Sequence, residues 1–161
     1  MKKLFGTDGI RGEAGKFPLD AAAVRKIGRS VARQFAEKLG RSPHFVTGRD
    51  TRESGAWIEE AFHSGVKTEK AECESAGVIT TPGVAFVTSR FEFDLGIVIS
   101  ASHNPFYDNG IKIFSPSGKK VDDAIERAIE KDVFDDGLKD SEVISSQVDS
   151  TRAEKFRAAY V

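Results

Sequence analysis

The sequence predicts an α/β domain in which helices are layered on a largely parallel sheet. Three observations carry that prediction. Short apolar runs alternate with longer stretches whose apolar residues recur at helical spacing, the pattern of strands joined by helical crossovers. The most apolar run, Leu95-Gly96-Ile97-Val98-Ile99, lacks the polar alternation of a half-exposed strand and so belongs at the centre of the sheet. A length of 161 residues suits one ordinary domain with a real core and is short for two.

Leu19, Ala23, Ile27, Val31, Phe35 and Leu39 recur every four residues and predict an amphipathic helix, with Asp20 as N-cap and Gly40 as its stop. His44-Phe45-Val46-Thr47 follows as a short buried strand ending at Gly48. A second helix begins near Ser54, with Trp57, Ala61 and Gly65 on one line and Ile58, Phe62 and Val66 on the next. The polar stretch 67–75 holds a weak strand, Ala71 to Ser75, expected at a sheet edge with alternate residues in solvent. Pro82 opens a third, shorter helix running to about Arg90. Gly110 to Phe114 is another strand, and Val121 to Phe134 a fourth helix carrying Ala124, Ile125, Ala128, Ile129 and Val133. The adjacent pairs Asp122-Asp123 and Asp135-Asp136 suit its two ends. The first compact unit, 1–137, ends there. Residues 138–161 form a polar linker and the opening turns of a further helix, with Phe156, Ala159 and Tyr160 as its stripe and no downstream partner.

Composition excludes several classes. At 39% hydrophobic and 30% charged residues the chain is globular rather than disordered. Lys and Arg number 24 against 25 Asp and Glu, so nothing favours nucleic acid or an anionic membrane as partner. One cysteine, Cys73, rules out an internal disulfide and suits a reducing cytoplasm. No signal-peptide core follows Met1-Lys2-Lys3, and no apolar run approaches the roughly 18 residues of a membrane helix.

Chemistry is expected in the loop Ser100-Ala101-Ser102-His103-Asn104-Pro105, because ligands gather at the carboxyl ends of strands in open α/β sheets. Alone, this could be an ordinary polar turn with an incidental histidine. Three other segments join it: Phe5-Gly6-Thr7-Asp8-Gly9-Ile10-Arg11-Gly12, Gly48-Arg49-Asp50-Thr51-Arg52-Glu53-Ser54-Gly55, and Asp108-Asn109-Gly110-Ile111-Lys112. Each sets a cation suited to phosphate beside glycines that let backbone approach a ligand. Taken singly they have plainer readings. Arg49 and Arg52 could be surface ion-pair partners of Asp50 and Glu53. Lys112 could be a solvated strand residue, and the glycine-rich opening a hairpin.

Together FGTDGIRG, GRDTRESG, ISASHNP and DNGIKIF resemble the first domain of the α-D-phosphohexomutases, in the family's order and over about Lys3 to Phe134. FGTDGIRG and SASHNPFYDNGIK are most similar to the phosphoglucosamine mutase branch. The resemblance implies a three-layer α/β/α domain with a mixed, mostly parallel sheet. It implies that Ser102 carries the catalytic phosphoryl group, with Arg11 and Lys112 beside the transferring phosphate and a proton-transfer role open to Lys112. Ser100, His103 and Asn104 would frame the phosphoserine loop, while Thr7, Asp8, Arg49 and Asp50 support the cleft. The implied reaction converts a hexose or hexosamine 6-phosphate to the 1-phosphate. A sugar 1,6-bisphosphate serves as activator, and Mg2+ is held by phospho-Ser102 and carboxylates.

Those carboxylates, an Asp-x-Asp-x-Asp loop in the family's second domain, have no counterpart here. The family's sugar-recognition and terminal phosphate-binding segments are missing too. The chain therefore reads as a truncated piece of a four-domain enzyme, inactive without domains II–IV. The alternatives are a phosphomannomutase or phosphoglucomutase domain, or a non-catalytic module that pairs as a homodimer. A Ser102/His103 hydrolase is disfavoured, since no Gly-x-Ser-x-Gly elbow is present. Glu72 and Glu74 depart from the family's more apolar strand and predict local weakness.

Overall fold

The structure, a computed structural model, describes residues 3–135 and 148–161. Five strands and five helices follow in the order β1 (Ile10–Glu13), α1 (Ala21–Leu39), β2 (His44–Arg49), α2 (Gly55–Thr68), β3 (Glu72–Val78), α3 (Thr81–Arg90), β4 (Leu95–Ile99), β5 (Asp108–Phe114), α4 (Asp123–Phe134) and α5 (Ala153–Tyr160). One sheet orders the strands β1-β5-β4-β2-β3. β2 pairs parallel with β3 and β4, whereas β5 runs antiparallel to both β4 and β1. Four strands thus point one way and β5 alone opposes them, which makes the sheet mixed and mostly parallel. β4, buried at every position, lies at its centre, as its unbroken apolar run requires.

The helices form where the periodicity predicts them. Asp20 caps α1 by accepting the Ala23 N–H at 2.8 Å, and Gly40 ends it in the left-handed conformation at φ 69°. Ile27, Val31, Ile58, Phe62 and Val66 are fully enclosed between α1, α2 and the sheet. Leu39, the last of the α1 stripe, is instead 38% exposed at the fraying end. Asp122 caps α4 through the Ile125 N–H, and Asp135 stands at its C-cap. Asp136 lies outside the described residues. α1, α2 and α4 cover one face and α3 and α5 the other, completing the three layers. Among the described residues no helix is long and apolar enough to cross a membrane.

Three features differ from expectation. The glycine-rich opening contributes a strand, β1, which pairs along β5 from Ile10↔Ile111 to Glu13↔Asp108. β3 is an edge strand as expected, but only Glu72 of its two glutamates faces solvent. Glu74 is buried, bound by Arg152 through Nε at 2.8 Å and Nη2 at 2.6 Å and by His44 at 2.7 Å. The Arg152 hydrogen bonds hold its carboxyl below the usual carboxylate range. The helix left without a downstream partner has an upstream one. α5 closes over β3 and α3, with Phe156 fully buried against Phe91, Phe93, Val46 and Val87. An edge strand facing a helix on one side escapes the solvent alternation expected of it.

A polar cluster lies between β2, β3 and α2. Glu59, 2% exposed, accepts from Thr47 and Ser75 at 2.7 Å each and from Arg49 at 2.8 Å. Thr47 has one proton and gives it to Glu59, so His63 Nε2–H must donate to Thr47 Oγ1 across 2.7 Å. His63 Nδ1 then stays bare and buried, without a partner among the described residues. Burial, aided by nearby Lys67, lowers the His63 pKa to about 3. Burial likewise pushes the Cys73 thiol up, so Cys73 behaves as a packed apolar group.

Two outcomes are expected. Phe156→Ala should cost about 3–5 kcal/mol in urea unfolding, because it empties a site lined by three aromatic or aliphatic elements. A loss below about 1 kcal/mol would mean α5 does not dock. His63 takes a proton in the unfolded chain below the ordinary imidazole value of 6.5 but not in the folded chain until about pH 3. Its contribution is therefore present above that unfolded value and is lost as pH falls through the window. Stability should drop by about 2 kcal/mol between about pH 7.5 and 5, and His63→Gln should flatten that limb.

Candidate active site

The chain leaves the centre of the sheet at Ile99 and turns into the loop 100–107 before returning as β5. Ser100 N–H donates to the Gly110 carbonyl at 3.0 Å, so the loop starts pinned across β5. Ser100 Oγ accepts the Ser102 N–H at 3.1 Å, and the Asn104 N–H donates to the Ala101 carbonyl at 3.0 Å. Ser102 adopts φ 53°, a left-handed conformation that costs a non-glycine residue about 1–2 kcal/mol. Its side chain projects into solvent. Backbone strain of this sort persists only where surroundings impose it.

Antiparallel pairing supplies the cation. Lys112 sits opposite Val98 on β4, and its Nζ donates to Ser102 Oγ at 3.2 Å. Arg11 sits opposite Gly110 on β1, so its side chain and that of Lys112 rise from one face of the sheet. Arg11 Nη1 reaches Asn104 Oδ1 at 3.5 Å and its Nη2 lies 4.0 Å from Asp8, while its Nε is buried with no partner among the described residues. Asn104 Nδ2 donates to Asp108 at 3.2 Å. The backbones approach closely here because residue 110 is glycine: a Cβ there would stand 2.6 Å from the Ser100 carbonyl oxygen and 3.2 Å from Arg11 Cγ. The start of β1 is tethered from behind, where buried Glu130 of α4 accepts the Leu4 and Phe5 N–H groups at 2.7 and 3.1 Å.

The expected residues therefore divide. Ser102, Lys112, Ser100, Asn104 and Arg11 converge. Thr7 and Asp8 line a small cleft of about 150 Å³ with Lys112 and Lys120. His103 is exposed and contacts neither Ser102 Oγ nor any other side chain by a hydrogen bond among the described residues. Arg49 is the clearest departure. Its guanidinium turns to Glu59 instead of Asp50 or Glu53, and it lines a separate, roomier cleft of about 870 Å³ with Ser75 and Arg157. That cleft shares no residue with the Ser102 loop. Asp50 does pair with Arg52, at 3.1 Å, but the arginine is only 11% exposed rather than a surface partner. Arg52 and Glu130 are the site residues missed from sequence. Arg52 stood in the glycine-arginine segment with its signal visible, an aspartate two residues earlier, whereas Glu130 reads as one more charge on a helix.

Phosphate chemistry suits this arrangement, since a hydroxyl beside an ammonium and a half-satisfied guanidinium can hold an anion. A magnesium ion fits less well. Ser102 offers one oxygen, and among the described residues no group of three or more His, Cys, Asp or Glu could hold a metal. The described residues do not by themselves build a magnesium site.

Residues 2–140 match the family model for phosphoglucomutase/phosphomannomutase, alpha/beta/alpha domain I. The chain belongs to this family. Its phosphohexomutase relatives include a phosphoglucosamine mutase of Koribacter versatilis, 43% identical over 180 aligned residues covering 98% of this chain and 39% of that protein. A phosphoglucosamine mutase of Syntrophus aciditrophicus is 51% identical over 130 residues, covering 81% of this chain and 29% of that protein. The crystal structure of a phosphoglucomutase/phosphomannomutase family protein from Burkholderia thailandensis superposes with a TM-score of 0.72 at 27% identity, over 95% of this chain and 34% of that one. This chain thus spans about two-fifths or less of the phosphohexomutases it matches, and within the family it is most similar to phosphoglucosamine mutase.

Gly110→Ala tests the crowded face. The added methyl must push Ser100 or the Ile10 carbonyl aside, so thermal unfolding should lose about 1–3 kcal/mol. An unchanged melting curve would show that the β1–β5–Ser100 junction yields easily.

Proposed function

We propose that this chain is the phosphoryl-carrying first domain of a phosphohexomutase, acting in the interconversion of hexosamine 6-phosphate and 1-phosphate. The observation that carries the reading is the 3.2 Å contact between Lys112 Nζ and Ser102 Oγ, on a serine held in a strained, exposed conformation. Phospho-Ser102 would bear about −1.5 to −2 charges, and Lys112 and Arg11 are the cations at hand to balance them. In the transfer, the bond from phosphorus to Ser102 Oγ breaks and a bond from phosphorus to a sugar hydroxyl oxygen forms. The hydroxyl proton is released, and Lys112 covers the charge developing on Oγ and can protonate it. The resulting sugar 1,6-bisphosphate turns over and returns its other phosphoryl group to Ser102 by the reverse step. Such chemistry depends on positioning and charge neutralisation.

Glucosamine phosphate is the substrate favoured by likeness to phosphoglucosamine mutases, with mannose or glucose phosphate next. Magnesium belongs to the reading through family likeness alone. Ser102, once phosphorylated, would be this chain's contribution to its shell, and the ion supplies charge neutralisation at the phosphoryl oxygens. The other walls of the cleft are assigned to further domains, and because α5 packs on β3 and α3 the first unit extends past residue 137. Contact of Ser102 with Lys112 rather than His103 removes the geometric basis for a hydrolase.

A chimera provides the test: the 130 residues of this chain that match the Syntrophus aciditrophicus enzyme replace their counterparts in it. With magnesium and a bisphosphate primer it should interconvert glucosamine phosphates and show one phosphoryl group on Ser102 by mass spectrometry. Ser102→Ala should abolish turnover, and Lys112→Met should reduce kcat by about 100-fold or more. A folded chimera with no turnover, or with turnover that survives Ser102→Ala, would defeat the reading.

A further inference from the structure

Arg52, which follows β2, reaches across to the Ser102 loop and uses its whole guanidinium there. Nε donates to Asp50 Oδ2 at 3.1 Å. Nη1 donates to the carbonyl oxygens of Pro105 at 2.6 Å and Asp108 at 3.3 Å. Nη2 donates to those of Ser102 at 2.9 Å and Asn104 at 3.0 Å. A guanidinium has five N–H donors, and here all five have an acceptor. None remains for a ligand. Arg52 itself is anchored by its backbone, whose N–H donates to Asp50 Oδ1 at 3.0 Å.

Gathering carbonyls in this way has a geometric consequence. Without a donor between them, the Ser102, Asn104, Pro105 and Asp108 oxygens would repel one another. Peptide planarity also turns the N–H groups of His103 and Phe106, which have no partner among the described residues, away from the guanidinium. The left-handed φ at Ser102 lies inside the span that Arg52 grips. Within the loop, Ser100 Oγ and the Ala101 carbonyl hold the first half, and the Asp108 N–H on the Pro105 carbonyl at 3.0 Å together with Asn104 Nδ2 on Asp108 at 3.2 Å hold the second, while Arg52 spans both halves. Lysine could not replace Arg52, because three donors on a point charge cannot reach five acceptors in a planar fork.

We propose that Arg52 is the positioning residue of the Ser102 loop, holding Ser102 at Lys112 by clamping four loop carbonyls without touching the transferred group. The inference deepens the phosphoryl-carrier reading and rests on it for the catalytic consequence, while the clamp itself stands on geometry alone. The test compares the chain with its Arg52→Lys and Arg52→Gln variants by hydrogen–deuterium exchange. The hydrogen-bonded loop amides of Ser102, Asn104 and Asp108 should exchange about tenfold faster in both variants, with β4 and α2 unchanged. Unchanged loop exchange overturns the proposal. So does a uniform rise across the domain, which would make Arg52 a staple of the whole fold. In the chimera described above, Arg52→Lys should lower kcat by about 100-fold while KM moves little, as misplacing a reacting group by about 1 Å does. A raised KM with kcat intact would instead mean that Arg52 binds substrate, and would overturn the proposal. If the unaltered chimera is silent, the carrier reading falls and the exchange measurement still decides the clamp.

Discussion

Ser102 and Lys112 stand ten residues apart in the chain and 3.2 Å apart in space because β5 runs against the direction of every other strand. A parallel β5 would need a long crossover, and its residues would meet β4 in a different register. The antiparallel return instead leaves only the 100–107 connection between the end of β4 and β5. That connection is too short to wander yet long enough to project a hydroxyl. It also fixes Arg11, since among the described residues β1 pairs only with β5 and takes its register from it. The candidate chemistry thus depends on one strand direction. The rest of the site, from the Glu130 tether to the Asn104–Asp108 bond, refines what that direction makes possible.

Charge is distributed in this domain according to what must stay still. Glu59, Thr47, Ser75, His63 and Arg49 form a closed set in which nearly every buried polar atom is answered. Buried ion pairs of this kind contribute little net stability, and their value lies in admitting only one arrangement of α2 on β2 and β3. Around Ser102 the opposite holds. Lys112 has one long contact and Arg11 has a bare Nε, so cationic capacity is left over where an anion would arrive. Arg52 belongs to the first kind although it adjoins the second. Its saturated guanidinium gives an exposed loop the definition of a core.

The second helical layer is assembled from distant parts. Phe156 fills a hollow made by α3 and β3, and Arg152 reaches buried Glu74 some 78 residues earlier. This contact explains why β3 tolerates a glutamate at a position where an apolar residue would be ordinary. The carboxylate is neutralised by a helix that follows much later in the chain, so the strand is weak only when considered without α5.

The helices, their caps and the central strand were determined by the sequence itself, because each depends on neighbours within a few residues. Asp20 needs only the amide three positions on, and Leu95 to Ile99 declares its burial by composition alone. Family likeness in four short motifs likewise identified Ser102, Lys112 and Arg11 as a group. What only the tertiary structure decided was pairing across the fold. Arg49 and Arg52 stand three residues apart in one motif, yet one points to Glu59 on α2 and the other to the loop carbonyls. Asp50 marks Arg52 locally, but the distant acceptor each arginine meets is set by strand order and helix placement. For the same reason the burial of Glu74, the tether at Glu130 and the strand at Ile10–Glu13 were invisible in sequence. Each depends on a partner that folding alone brings near, and linear spacing carries no record of it.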